Sequence, residues 1–178
     1  MTSGFDRFEC PAPLLAQGIF LRPETKGDVA ALRQIHFAHR RDEFALLPMS
    51  EARLTALVDS QFDMQRRHYM AQYPDGLFLA LVDRDETIGR FYLAREERTV
   101  LILDILIRAD RRGAGLGSIL IDALLAQTAA LDLGVSLHVS KMNRAAQLYE
   151  RLGFRVAGEN EIDWLMEARG RGSLKVGA

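Results

Sequence analysis

Residues 99–107 read TVLILDILI, nine residues with a single charge, Asp104. A strand with one face in water alternates apolar and polar side chains, so a run this apolar is central in its sheet and covered on both faces. RADRRGAGLGS follows at residues 108–118, three arginines beside three alternating glycines. Then comes ILIDALLAQTAA, and Leu116, Ile119, Leu120, Ala123, Leu124 and Ala130 trace one helical face across the junction. A buried strand that turns through glycines into such a helix commits the chain to an α/β architecture.

The remaining segments supply partners for that strand. GIFLRP is a short strand stopped by Pro23. ETKGDVAALRQIHFAHRRDEF puts Val29, Leu32, Ile35 and Phe37 near helical spacing, with Asp28 as its cap. Ser50 and Glu51 open a second helix that runs to about Gln72, where Pro74-Asp75-Gly76 forces a turn. LFLALVD and IGRFYLARE pair as a hairpin through RDET. VSLHV is another buried strand, NRAAQLYERL a short helix ended by a left-handed Gly153, and FRVAG and IDWLMEA two closing strands. The expected fold is a mixed, mostly antiparallel central sheet of about seven strands flanked by about four helices. Residues 18–168 form one domain in this reading, residues 1–17 an extension before it, and the Gly-rich, basic residues 169–178 a flexible tail.

Composition narrows the function. Twenty-three Lys and Arg against 24 Asp and Glu give net −1, which argues against nucleic acid or an anionic membrane as partner. No run reaches the roughly 18 apolar residues of a membrane span, and the start lacks the apolar core of a signal peptide. Cys10 is the only cysteine, so no intrachain disulfide forms, and a cytoplasmic location is expected. The histidines at 36, 39, 68 and 138 are scattered, without metal-ligand spacing, so no metal is expected.

The glycine turn points to a ligand. The first turn of a helix leaves backbone N–H groups without partners at the positive end of the dipole, and these suit a phosphate. Side chains keep a phosphate away from those amides. Gly113, Ala114, Gly115 and Gly117 remove that obstacle, while Arg112, with Arg111 beside it, adds positive charge. So long a bare stretch suits a pyrophosphate; the plainer alternative is a tight flexible turn. A P-loop requires a Gly-Lys-Ser/Thr that is missing here. A dinucleotide fingerprint requires the first βαβ unit and an acid ending the next strand, and neither is present.

Two motifs together resemble a known family. RRGAGLG contains Arg112-x-x-Gly115-x-Gly117, and NRAAQLYERLGF follows about thirty residues later with an apolar strand between. Both are similar to the GCN5-related N-acetyltransferases, over roughly residues 18–168. The resemblance implies the acyl-CoA N-acyltransferase type of fold, acetyl-CoA as cosubstrate and a small-molecule or peptide amine as acceptor. It implies a strand that splays from its neighbour, with Leu106 and Ile107 holding the pantetheine arm and acetyl carbonyl, and the turn Arg112, Gly113, Ala114, Gly115, Leu116, Gly117, Ser118 facing the pyrophosphate. Asn143 lies six residues before Tyr149, where the family often has seven, so it either meets the cofactor arm or only caps its helix. Tyr149 resembles the family's general acid, which protonates the leaving thiolate; the plainer role is a packed tyrosine.

The base is less determined. Asp104 in its apolar strand needs a partner, a water path or a raised pKa, so it is either the base or a carboxylate fixed by an arginine or neighbouring strand. His138 is the second candidate, and a relay of water the third. Gln61, Gln65, Tyr69 and Tyr73 recur every fourth residue on the second helix, a face that either lines the acceptor pocket or ties the helix to the sheet. No cysteine or activated serine stands near either motif, which favours direct attack of the amine on the thioester. A non-catalytic acyl-CoA sensor is the competing reading, and dimerisation stays open.

Overall fold

In the computed structural model, which describes residues 5–41, 44 and 48–169, the apolar run at Thr99–Ile107 is the middle strand, β4, of a seven-stranded sheet. The other strands are β1 (Ile19–Pro23), β2 (Leu77–Asp83), β3 (Glu86–Arg95), β5 (Gly134–Ser140), β6 (Arg155–Glu159) and β7 (Asp163–Arg169). Their spatial order is β1-β2-β3-β4-β5-β7-β6. β4 and β5 run parallel, and the other neighbours are antiparallel. The helices are α1 (Ala12–Leu15), α2 (Val29–Arg41), α3 (Glu51–Gln72), α4 (Leu116–Ala129) and α5 (Ala145–Arg151). The expected mixed sheet is present, with one short helix more than the sequence reading held.

The sheet has two covered faces. On one, α4 buries Leu116, Leu120, Ile121, Leu124 and Leu125 against Phe91, Leu93, Val100, Ile102, Val135 and Leu137. Ala130 is exposed just beyond the helix end, so the buried face is rotated toward Ile121 and Leu125. Phe5, Phe8 and Leu14, from the segment before β1, belong to this same cluster. Met166 is fully buried in it and Trp164 packs against its margin. On the other face, α2 and α3 bring Leu32, Ile35, Val58 and Phe62. The tail beyond Arg169, and Asp42 and Glu43 of HRRDEF, lie outside the described residues.

Local signals explain most boundaries. The Ser50 hydroxyl accepts from Arg53 N at the start of α3, as expected of an N-cap. Gly153 ends α5 at φ 98°, the left-handed conformation that glycine tolerates. Asp28 corrects the sequence reading: it is not the cap but the third residue of a 3-10 turn, Lys26–Asp28, that Thr25 caps. Its carboxylate accepts from Thr25 N and Oγ1, both at 2.8 Å, and from two Arg22 nitrogens at 2.7 Å. That carboxylate is a hub between β1 and the entry to α2, which is why it is buried rather than exposed at a helix end.

Candidate active site

The site begins with a fault in β4. Tyr92 pairs with Asp104 and Leu93 with Ile102, so Leu103 is the extra residue of a bulge. Pairing with β5 also stops there, its last partners being Ile102 and Leu137. β5 continues to Ser140 on β7 alone, so the two parallel strands part beyond residue 102. The gap is a crevice of about 170 Å³ lined by residues of β4 and β5 together with His39, Asn143 and Tyr149.

The bulge decides which way each residue faces. Val100 and Ile102 point to the α4 side; after the extra residue, Ile105 and Ile107 do so, leaving Asp104 on the side of α2 and α3. It also fixes the main chain. Arg108 N donates to Ile88 O at 2.8 Å, so antiparallel alternation makes Leu106–Arg90 a hydrogen-bonded pair and Ile107–Gly89 an open one. The N–H and C=O groups of Ile105 and Ile107 therefore turn away from β3, toward the gap. Leu106, expected to contact the cofactor, pairs its main chain with Arg90 in this alternation, whereas Ile105, a residue the sequence reading did not single out, turns its main chain away from β3.

At the end of β4 the glycine turn opens into α4. Gly113 and Gly115 have φ 78° and 79°, with open space where a side chain would stand. Gly115 is the N-cap without a side-chain bond, and the first helical amide with a partner is Ile119 N, at 3.0 Å from Gly115 O. The amides of Leu116, Gly117 and Ser118 come before it and lie in the unsatisfied first turn. A Cβ on Gly117 would stand 3.8 Å from the Ile105 and Ile107 side chains, an ordinary contact distance, so no crowding requires glycine at this position. The arginines divide their roles: Arg108 pairs with Asp110 and Glu86, and Arg111 with Asp83. Arg112 donates from Nε to Ile107 O at 2.8 Å, is exposed, and has no carboxylate in ion-pair range among the described residues.

Tyr149, Asp104, His138 and Asn143 all meet at the crevice. Tyr149 reaches it from α5 with its ring edge-on to Phe154 and its side chain largely buried. Burial first, and the Asp104 carboxylate second, raise its phenol to about 12. Asp104 is paired with Arg90, whose guanidinium is fully buried between the rings of Phe62 and Tyr92, at 5.3 and 5.0 Å. His138 is exposed on β5. Asn143 Oδ1 accepts from Ala145 N at 2.9 Å, satisfying the first amide of α5 from one residue before its N-cap position, Arg144.

The stripe on α3 lies over the same region in part. Gln65 Oε1 accepts from Arg90 Nη2 at 2.7 Å, and the Tyr69 hydroxyl donates to Leu103 O at 2.9 Å. Gln61 is half-buried, and its Oε1 has no partner among the described residues. Tyr73 lines a separate depression with Pro74, Ala94 and Arg95, away from the crevice. Arg90 was missed in the sequence because IGRFYLARE reads as an ordinary strand with charges along it; its burial opposite Asp104 is a matter of register.

Known proteins resemble this chain in sequence and fold. The family profile described as "Acetyltransferase (GNAT) domain" matches residues 74–156. The peptidyl-lysine N-acetyltransferase YjaB of Salmonella typhimurium is 33% identical over 116 residues, covering 60% of this chain and 74% of that protein. The 5-NmdU N-acetyltransferase of Pseudomonas phage PaMx11 is 37% identical over 95 residues, 51% of this chain and 65% of that one. Among solved structures, the PaiA N-acetyltransferase of Thermoplasma acidophilum, in complex with coenzyme A, shares the fold at TM-score 0.65 and 18% identity, over 85% of this chain and 98% of that one. Among the described residues no cluster of His, Cys, Asp or Glu is suited to a metal, and no helix is long and apolar enough to cross a membrane. With its splayed β4 and β5, the bare helix start beside them and relatives of this kind, the chain belongs to the GCN5-related N-acetyltransferase family and is an N-acetyltransferase.

Proposed function

We propose that the chain moves an acetyl group from acetyl-CoA to a primary amine by direct attack on the thioester. One observation carries this reading: the parting of β4 from β5 opens a crevice lined by Ile105, Asp104 and Tyr149, and the same strand leads into the bare amides at the start of α4. The amides of residues 113–118 and Arg112 hold the pyrophosphate. Main-chain groups of Ile105 and Ile107 align the pantetheine arm and the acetyl carbonyl. Asn143 keeps its bond to Ala145 N and borders the arm.

Proton bookkeeping assigns the rest. The acceptor arrives as an ammonium, with pKa of about 10 for an alkylamine such as lysine, and attacks only after losing a proton. Asp104, paired with Arg90 at the crevice, draws in the cation and accepts that proton, with His138 across the gap as a second acceptor. The nitrogen bonds to the acetyl carbon, the carbon–sulfur bond breaks, and Tyr149 gives its proton to the departing sulfur. His39 and Gln61 border the acceptor side. The names of the two sequence relatives support an amine acceptor, and a lysine side chain in a peptide is the first to try.

The test is thiol release from acetyl-CoA with purified protein and a panel of lysine peptides, polyamines and amino acids. Acceptor-dependent release with N-acetylated product is expected. Tight CoA binding with no release above hydrolysis across the panel would leave a CoA-binding sensor instead.

A further inference from the structure

The bulge at Leu103 leaves a main-chain carbonyl outside the ladder, and such a group needs another partner when buried. Its partner is not in the sheet. The Tyr69 hydroxyl of α3 donates to it at 2.9 Å. Tyr69 is itself braced: its oxygen accepts from Gln65 Nε2 at 3.3 Å, and Gln65 Oε1 accepts from Arg90 Nη2 at 2.7 Å. Arg90 then pairs with Asp104, the residue next to the bulge. The network closes on itself. Tyr69 holds residue 103, Arg90 holds residue 104, and Gln65 links the two holders.

We propose that Tyr69 is a positioning residue for the thioester. Through Leu103 O, and backed by Gln65 and Arg90, it sets the bulge that aims the main chain of Ile105 and Ile107 into the gap. This rests on the acetyl-transfer reading above and assigns Tyr69 a role other than lining an acceptor pocket. Its hydroxyl is committed to the strand that orients the acyl group. It follows that α3 and the acyl-orienting edge of β4 move as one body. The leverage is large because a displacement of about 1 Å in a reacting group can cost on the order of 10²-fold in rate.

Tyr69→Phe removes the hydroxyl and keeps the ring. Three quantities separate the roles: the affinity for CoA by calorimetry, thiol release from acetyl-CoA with hydroxylamine as a small surrogate amine, and the infrared carbonyl stretch of bound carbon-13 acetyl-CoA. CoA affinity is expected to hold within about 2-fold while surrogate turnover falls ~10–100-fold at unchanged KM for hydroxylamine. The carbonyl stretch is expected to move back toward that of free acetyl-CoA. Turnover equal to wild type overturns the proposal, and so does a raised KM for the amine with kcat and carbonyl stretch unchanged. A wild-type protein that neither binds CoA nor releases thiol would defeat the acetyl-transfer reading itself, a result visible before any variant is made. Should Tyr69→Phe not unfold cooperatively, Gln65→Leu keeps the Tyr69–Leu103 bond but removes its brace. The same pattern is then expected at roughly 3–10-fold, and unchanged turnover in that variant overturns the proposal.

Discussion

At the residue scale the proposed chemistry turns on Tyr149. An acid must carry its proton when the thiolate leaves, and burial raises this phenol to about 12. The sign follows directly: a raised pKa moves loss of the protonated form to higher pH. Turnover is therefore expected to show no decline from Tyr149 below about pH 10–11, beyond the range of an ordinary tyrosine. A kcat–pH profile checks this, and Tyr149→Phe is expected to lower kcat by about 10²–10⁴ with CoA affinity unchanged. A falling limb near pH 8–9 that Tyr149→Phe abolishes would contradict the assignment. Tyr149 and Asp104 were both legible in the sequence, one through its motif and the other as a lone charge in an apolar strand. Arg90 was not, because a charge in a strand reveals nothing of the residue opposite until the register is known.

At the element scale the decisive feature is the bulge in β4. TVLILDILI is apolar on both faces, so a change in side-chain alternation leaves no mark on its pattern. This is why the splay was expected at Leu106 and Ile107, while the geometry turns Ile105 and Ile107 outward. The entry to α2 was misread for a related reason. Asp28 has the identity of a cap, but its four bonds to Arg22 and Thr25 make it a buried junction. The Arg22 guanidinium, with help from Thr87 and Thr25, holds its carboxyl well below the usual carboxylate range. A depressed native pKa contributes stability that is complete above the unfolded value and is lost as pH falls toward the native one. Asp28→Asn is expected to cost about 3 kcal/mol at neutral pH, with the gap to wild type narrowing below about pH 4. Urea midpoints of both proteins across that range measure it, and a gap independent of pH would contradict the account.

At the scale of the whole molecule, strand content and sheet type were legible from hairpins and crossovers. The placement of β7 between β5 and β6 was not, because sequence order alone leaves strand order open. The segment before β1 is informative too. It carries few polar residues in a helical or alternating pattern, yet Phe5, Phe8 and Leu14 pack into the α4 core. Full burial of such a side chain contributes about 1.5–3 kcal/mol, so removing residues 1–17 is expected to cost several kcal/mol and lower the melting temperature. An unchanged melting temperature would show that these contacts contribute nothing.

The most direct test of the central claim is a calorimetric titration of CoA into the wild-type protein and into Gly117→Val. Gly117 lies in α4 at a Cβ position with only ordinary contacts nearby, and valine has a better helix propensity than glycine; a melting curve of the variant, expected to match the parent's, accompanies the titration. If bare first-turn amides grip the pyrophosphate and lead the arm past Ile105 and Ile107, CoA affinity falls by at least about 10-fold in a protein of undiminished stability. Equal affinity in the two proteins would contradict the account.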